Sequence, residues 1–117
     1  MDYLEFVETP TFSRMRRELM QDDEFLALQL YLLEHHEDGD TISHTGGCKK
    51  LRWCRYGMGK RGGIRIIYYA RALSGRLYLL LAYPKNAKDD ISLEQKSVLK
   101  NAIQNMKWPL LWLATSS

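Results

Sequence analysis

Apolar and polar positions alternate with one period in the first half of the chain and another in the second. Between Asp2 and Val7, the strand-forming residues Tyr3, Phe6 and Val7 predict a short first strand. Thr9-Pro10 then has the form of a helix N-cap followed by proline at the first helical position. Phe12, Met15 and Leu19 recur at helical spacing, and Arg14, Arg16 and Arg17 fall largely off that stripe. Asp22-Asp23-Glu24 opens a second helix with anions where the helix dipole favours them. Its core face is Phe25, Leu28 and Leu32, flanked by Leu26 and Leu33. Asp38-Gly39-Asp40 ends it and Thr45-Gly46-Gly47 makes a loop, so the pair predicts a helical hairpin.

From Cys48 the period becomes two. Cys48, Lys50, Arg52 and Cys54 point one way, and Lys49, Leu51 and Trp53 point the other, toward the core. Ile64 to Arg71 is β-branched and aromatic, with Arg65, Ile67, Tyr69 and Arg71 on one side. Ser74-Gly75 is a turn signal, Leu77 to Tyr83 a nearly continuous apolar strand, and Tyr68 and Tyr78 are expected in the core. Ser92-Leu93-Glu94-Gln95 is a capping box. The helix that follows carries Leu99, Ile103 and Met106 on one face and stops before Pro109. The element order is β-α-α-β-β-β-α. It predicts a single α+β domain over residues 1–117, with two N-terminal helices packed on a small antiparallel sheet and a C-terminal helix. The other face of the sheet, toward which Lys50 and Arg52 point, is expected to be open and basic.

Composition fits this picture. A chain of 117 residues that is 45% hydrophobic closes one core. No apolar run approaches the ~20 residues of a membrane span, the N-terminus does not resemble a secretory signal, and two thiols suit a reducing compartment. A cytoplasmic protein with no membrane partner is the expectation. The net charge of +3 is a cancellation. Residues 1–47 hold eleven acids and three bases, residues 48–88 hold eleven bases and no acid, and residues 89–117 balance three against three. A carboxylate-free stretch of that length makes one side of a small domain attractive to polyanions.

The chemistry-bearing motifs are few. Gly57-Met58-Gly59-Lys60-Arg61-Gly62 matches G-x-G-x-x-G, but it leads into a strand, so no helix N-terminus follows to receive a pyrophosphate. It is better taken as a hairpin connection that lets Lys60 and Arg61 reach phosphate. Cys48 and Cys54, six residues apart on one strand, are too distant to pair, and with His44 they fall short of a zinc set. No metal and no small-molecule cofactor are expected. His35, His36 and His44 are placed as surface or cap residues. Lys49, Lys50, Arg52 and Arg55 around Trp53 combine cations with an aromatic, as single-stranded RNA binding requires. Because Trp53 falls on the core side, Tyr69 is the better stacking candidate.

Three segments in this order resemble the RelE/ParE toxin superfamily, and within it the RelE-like HigB branch: Gly46-Gly47-Cys48-Lys49-Lys50-Leu51-Arg52-Trp53, then Gly59-Lys60-Arg61-Gly62-Gly63-Ile64-Arg65-Ile66-Ile67-Tyr68-Tyr69, then Tyr78 through Ser92 with its Lys85-Asn86-Ala87-Lys88-Asp89-Asp90 run. The resemblance extends over roughly residues 5–105 and leaves out the apolar tail from Trp108 to Ser117. It implies the toxin of a type II toxin–antitoxin pair, held by a cognate helix-turn-helix antitoxin. Such toxins bind the 30S A site of the ribosome, cleave the mRNA there by attack of the ribose 2′-OH, and so inhibit translation. By the same resemblance Lys50, Arg65 and Lys85 are the catalytic cations. Arg52, Arg55, Lys60, Arg61, Tyr69 and Lys88 would contact RNA, with Lys88 an alternative to Lys85 at the leaving oxygen. Neighbouring cations disfavour the charged form of a lysine, which makes Lys50 the candidate base. Two positions depart from the pattern: Cys48 stands where RelE carries a second strand lysine, and the tyrosine after the last strand has no clear counterpart, Tyr83 coming early. The alternatives are a ParE-like toxin that binds DNA gyrase without catalysis, and a non-catalytic nucleic-acid-binding module.

Overall fold

A computed structural model of the chain describes residues 5–54, 63–71, 74–85 and 91–106. Arg55, Lys60, Arg61, Lys88 and the segment after Met106 lie outside the described residues, as do Asp2–Leu4, the Gly57–Gly62 motif and the Met106 side chain. The elements run β1 (Glu5–Glu8), α1 (Pro10–Leu19), α2 (Asp22–His35), β2 (Asp40–Thr41), β3 (Lys49–Cys54), β4 (Gly63–Arg71), β5 (Arg76–Pro84) and α3 (Leu93–Met106). This is the expected α+β order with one addition, the two-residue β2.

Local chemistry sets the helix starts. Thr9 Oγ1 accepts the Phe12 N–H at 3.0 Å, with Pro10 at the first helical position. The Gln21 N–H donates to Glu24 Oε1 at 3.1 Å and opens α2. At α3 the Gln95 N–H donates to Ser92 Oγ and the Ser92 N–H to Gln95 Oε1, both at 3.2 Å, the reciprocal pair of a capping box.

The sheet order is β1-β5-β4-β3-β2. It is mixed rather than wholly antiparallel, because β1 lies parallel to β5. The helical hairpin carries the chain from the β1 edge to the β2 edge, and the β3-β4-β5 meander then brings β5 back alongside β1 in the same direction. Two side-chain contacts hold that junction. Arg76 Nε donates to Glu5 Oε1 at 3.2 Å, and Thr9 Oγ1 donates to the Leu80 carbonyl at 2.8 Å.

The second correction concerns the layers. Phe12, Leu19, Phe25, Leu28 and Leu32 of α1 and α2 pack on Leu51, Ile64, Ile66, Tyr68, Leu77, Leu79 and Ala82, as the hairpin reading expects. The opposite face is not left open. Leu99 and Ile103 of α3, with Ile91 before it, pack there on Cys48, Ile67, Tyr78, Leu80 and Tyr83. The reason is a register shift between β4 and β5 at Ile67/Tyr68, which leaves Leu80 as an extra residue. Leu80 and Leu81 then both belong to the second face, whose apolar area needs a cover. Fully burying one such side chain contributes about 1.5–3 kcal/mol. The sheet is therefore sandwiched over one half of its length, and the cationic residues occupy the other.

Candidate functional site

Strand register assembles the site. In the β3-β4-β5 ladder, Arg52 stands opposite Arg65 and Arg65 opposite Tyr83, so three side chains form one row on the α3 side of the sheet. Neighbouring positions fix that direction: Leu51, Trp53, Ile64, Ile66 and Ala82 all pack toward α1 and α2. Arg52 is exposed, whereas Arg65 is only 8% exposed. Its Nη1 atom is buried without a hydrogen-bond partner among the described residues. Like charges directly opposite on adjacent strands repel, and a buried guanidinium without an acceptor carries a desolvation cost. No carboxylate among the described residues forms an ion pair with either arginine. An anion placed over the row would relieve both penalties at once.

Arg65, one of the three expected catalytic cations, lies in this row, and the two lysines flank it. Lys50 is half-buried, two positions before Arg52 on β3 and opposite Ile67. Lys85 is half-buried two residues beyond Tyr83, and its backbone N–H donates to the Gly63 carbonyl at 3.0 Å. Along the strands the order is therefore Lys50 in the row of Ile67, then Arg52 with Arg65, then Lys85 beside Gly63, so the two lysines stand on either side of the arginine row, about 13 Å apart in the strand direction. Tyr69 lies on the far side of Lys50 from the arginines, two positions past Ile67, the cross-strand partner of Lys50. It lies four residues along β4 from Arg65, about 13 Å at strand rise, half-buried and stacked on Tyr78 with ring centroids 6.4 Å apart. The Gly47 backbone closes over its ring, where a Cβ would come within 3.3 Å of Tyr69 Cε1.

Two residues at the site were not singled out from sequence. Asp40 is the cross-strand partner of Lys50, supplied by a β2 too short to show any periodicity. Tyr83, set aside as too early in the chain, stands in the row of Arg65. Its signal was the bare pairing of two strands across the Ser74-Gly75 turn, obscured by the register shift.

The remaining candidates take structural roles. His35 stacks on Tyr31 at 4.6 Å with its Nδ1 3.2 Å from Asp38, His36 caps α2, and His44 occupies a left-handed turn position at φ 64°. Trp53 is half-buried on the α2 side, 5.6 Å from the Tyr31 ring. Cys48 is fully buried, and burial pushes its thiol up to about 11. Among the described residues, no group of three or more His, Cys, Asp or Glu is spaced to hold a metal ion, and no helix is long and apolar enough to cross a membrane.

The strands that carry the Lys-Leu-Arg and Gly-x-Arg segments thus set Arg52 and Arg65 side by side, with no carboxylate ion-paired to either among the described residues. The family model described as the RelE toxin of the RelE / RelB toxin-antitoxin system matches residues 6–108, and the chain belongs to that RelE toxin family, the toxin partner of an antitoxin.

Proposed function

We propose that this toxin is a ribosome-dependent endoribonuclease that cuts mRNA in the A site by transesterification and so arrests translation in the cytoplasm. RelE toxins are in general mRNA-cleaving proteins. The observation that carries the reading here is the Arg52–Arg65 pair, with Arg65 Nη1 buried and unpartnered. Such a pair suits a phosphodiester whose negative charge grows in the transition state.

In this reading Lys50 takes the proton of the ribose 2′-OH. The 2′-oxygen bonds to phosphorus, Arg52 and Arg65 hold the phosphorane oxygens, and the bond to the 5′-oxygen breaks. Lys85, or Lys88 beyond it, returns a proton to that leaving oxygen. The products are a 2′,3′-cyclic phosphate and a 5′-OH. The three histidines stand off the row, so proton transfer falls to lysines, which are weak general acid–base groups at neutral pH. A site of this kind gains most from a partner that holds the 2′-OH in line with the scissile bond. The ribosome supplies that orientation.

Primer extension on mRNA from cells expressing the protein tests the reading. Cuts confined to translated codons, absent from Arg65→Ala, are the expected result. Uncut mRNA with arrested DNA supercoiling would assign the toxin to gyrase instead, and efficient cutting of free RNA would remove the ribosome from the mechanism.

A further inference from the structure

β3 ends at Cys54, whose side chain lies on the same face as Lys50 and Arg52, since Trp53 packs toward the helices on the other. The ladder places Cys54 opposite Gly63, one row beyond Arg52 and Arg65. Gly63 is in turn tied to Lys85 by the 3.0 Å backbone hydrogen bond. The thiol is about 7 Å along the strand from Arg52 and diagonal to Arg65 across it. Gly63 contributes no side chain between them. Cys54 is exposed, while Cys48, the other free cysteine, is buried behind α3. The buried, unpartnered Arg65 Nη1 marks this same end of the face as a place for an anionic group, independently of the cysteine.

We propose that Cys54 is a site of reversible S-thiolation by small anionic disulfides of the glutathione class, recruited through their carboxylates by Arg52 and Arg65. The adduct then occupies the phosphate site and switches cleavage off. This rests on the anion-binding reading of the Arg52–Arg65 row. In the exchange the Cys54 thiolate attacks one sulfur of the disulfide. A Cys54–glutathione S–S bond forms, the original S–S bond breaks, and the released glutathione thiolate takes up the proton that Cys54 gave up. Excess reduced glutathione reverses the step. Cys48 provides an internal reference, since a buried thiol is closed to the reaction.

The test treats the purified full chain with glutathione disulfide, bis(2-hydroxyethyl) disulfide and cystamine, which are anionic, neutral and cationic. Each rate is normalised to that of N-acetylcysteine, and adducts are located by peptide mass spectrometry. The expected outcome is one adduct on Cys54, none on Cys48, and a normalised rate order of anionic, neutral, cationic. About tenfold should separate the ends of the series at low salt. The spread should collapse at about 1 M salt, where the Debye length is about 3 Å, and shrink in Arg52→Gln. A flat order, or equal labelling of Cys48, overturns the proposal. In a translation-coupled assay the thiolated protein should stop cutting mRNA and recover with dithiothreitol, while Cys54→Ser cuts and ignores the disulfide. Cutting that persists in fully thiolated protein also overturns it. Unmodified parent protein that cuts no mRNA would count against the nuclease reading alone, since the charge-ordered labelling needs no RNA, whereas an inactive Cys54→Ser protein beside an active parent would overturn the switch by making the thiol part of the cleavage site.

Discussion

Arg52 and Arg65 face each other across two adjacent strands, one exposed to solvent and the other buried, with no carboxylate among the described residues paired to either. The free protein therefore holds two like charges together, with Arg65 Nη1 buried and lacking a hydrogen-bond partner among the described residues. Arrangements of this kind are costly in the unbound state and favourable once the missing anion arrives. The site and the fold are in tension at that one position.

That tension has a measurable consequence. Arg65→Met replaces the guanidinium with an apolar chain of similar length in the same buried place. Its unfolding midpoint should rise, by about 1 kcal/mol of stability or more, while mRNA cleavage falls by about 10²-fold or more. Chemical denaturation and a translation-coupled cleavage assay read the two effects separately. A variant that loses stability as well as activity would mean that Arg65 serves the fold.

Tyr68 supports the opposite layer and should behave in the opposite way. Its hydroxyl donates to the His36 carbonyl at 2.8 Å and accepts the Gly39 N–H at 3.1 Å, pinning the end of α2 to the sheet. Tyr68→Phe leaves both backbone groups without this partner and should cost about 1–3 kcal/mol. Cleavage per folded molecule should be unchanged, because the hydroxyl lies on the helix side of the sheet. Equilibrium denaturation together with active-site titration checks both parts.

The Gly47 turn gives a third test. Its φ of 119° lies where a side chain is strained, and a Cβ would come 3.3 Å from the Tyr69 ring. Gly47→Ala should destabilise the protein by about 1–2 kcal/mol. Because Tyr69 then has to move off Tyr78, the near-ultraviolet dichroism of the tyrosines should change as well. A variant of wild-type stability with an unaltered tyrosine signal would show that the turn relaxes freely.

Much of this architecture could be read from residue spacing, and the exceptions have definite causes. Thr9-Pro10 and Ser92-to-Gln95 cap helices as their side chains require, since a cap is satisfied within four residues and needs no tertiary context. Alternation along Cys48–Cys54 correctly separated Leu51 and Trp53 from Lys50 and Arg52. The parallel β1–β5 pairing joins residues 71 apart, such as Glu5 and Arg76, and no local pattern encodes such a contact. Alternation puts Cys48 and Ile67 on the face of Lys50 and Arg52, where they lie, but the nearly continuous apolar run from Leu77 to Tyr83 does not show how much of β5 joins them, nor does spacing show which side α3 covers. One extra residue at the register shift moved Leu80 and Leu81 onto one side and created a seat for α3. The cation cluster was legible as composition; that Arg65 is buried opposite Arg52 was not, since burial depends on layers stacked from distant segments.

Alkaline pH supplies the last test, and its sign follows from two buried groups. Burial raises the Cys48 thiol from 9.0 to about 11 and the Tyr68 phenol from 10.0 to about 12. Both are neutral when protonated, so the folded state holds each proton more tightly than the unfolded chain does. Their contribution is complete below pH 9 and declines as the unfolded state deprotonates first, by up to about 1.4 kcal/mol per pH unit for each group. From pH 9 to 10 the decline belongs to Cys48, and from there to about 11 both groups share it, until Cys48 ionises in the folded state. Cys48→Ala should therefore be less stable than the parent at neutral pH, yet lose less stability between pH 9 and 10. In Tyr68→Phe the early decline should persist while the part above pH 10 weakens. Urea titrations at half-unit steps distinguish the two, and equal slopes in all three proteins would mean that neither buried proton governs alkaline unfolding.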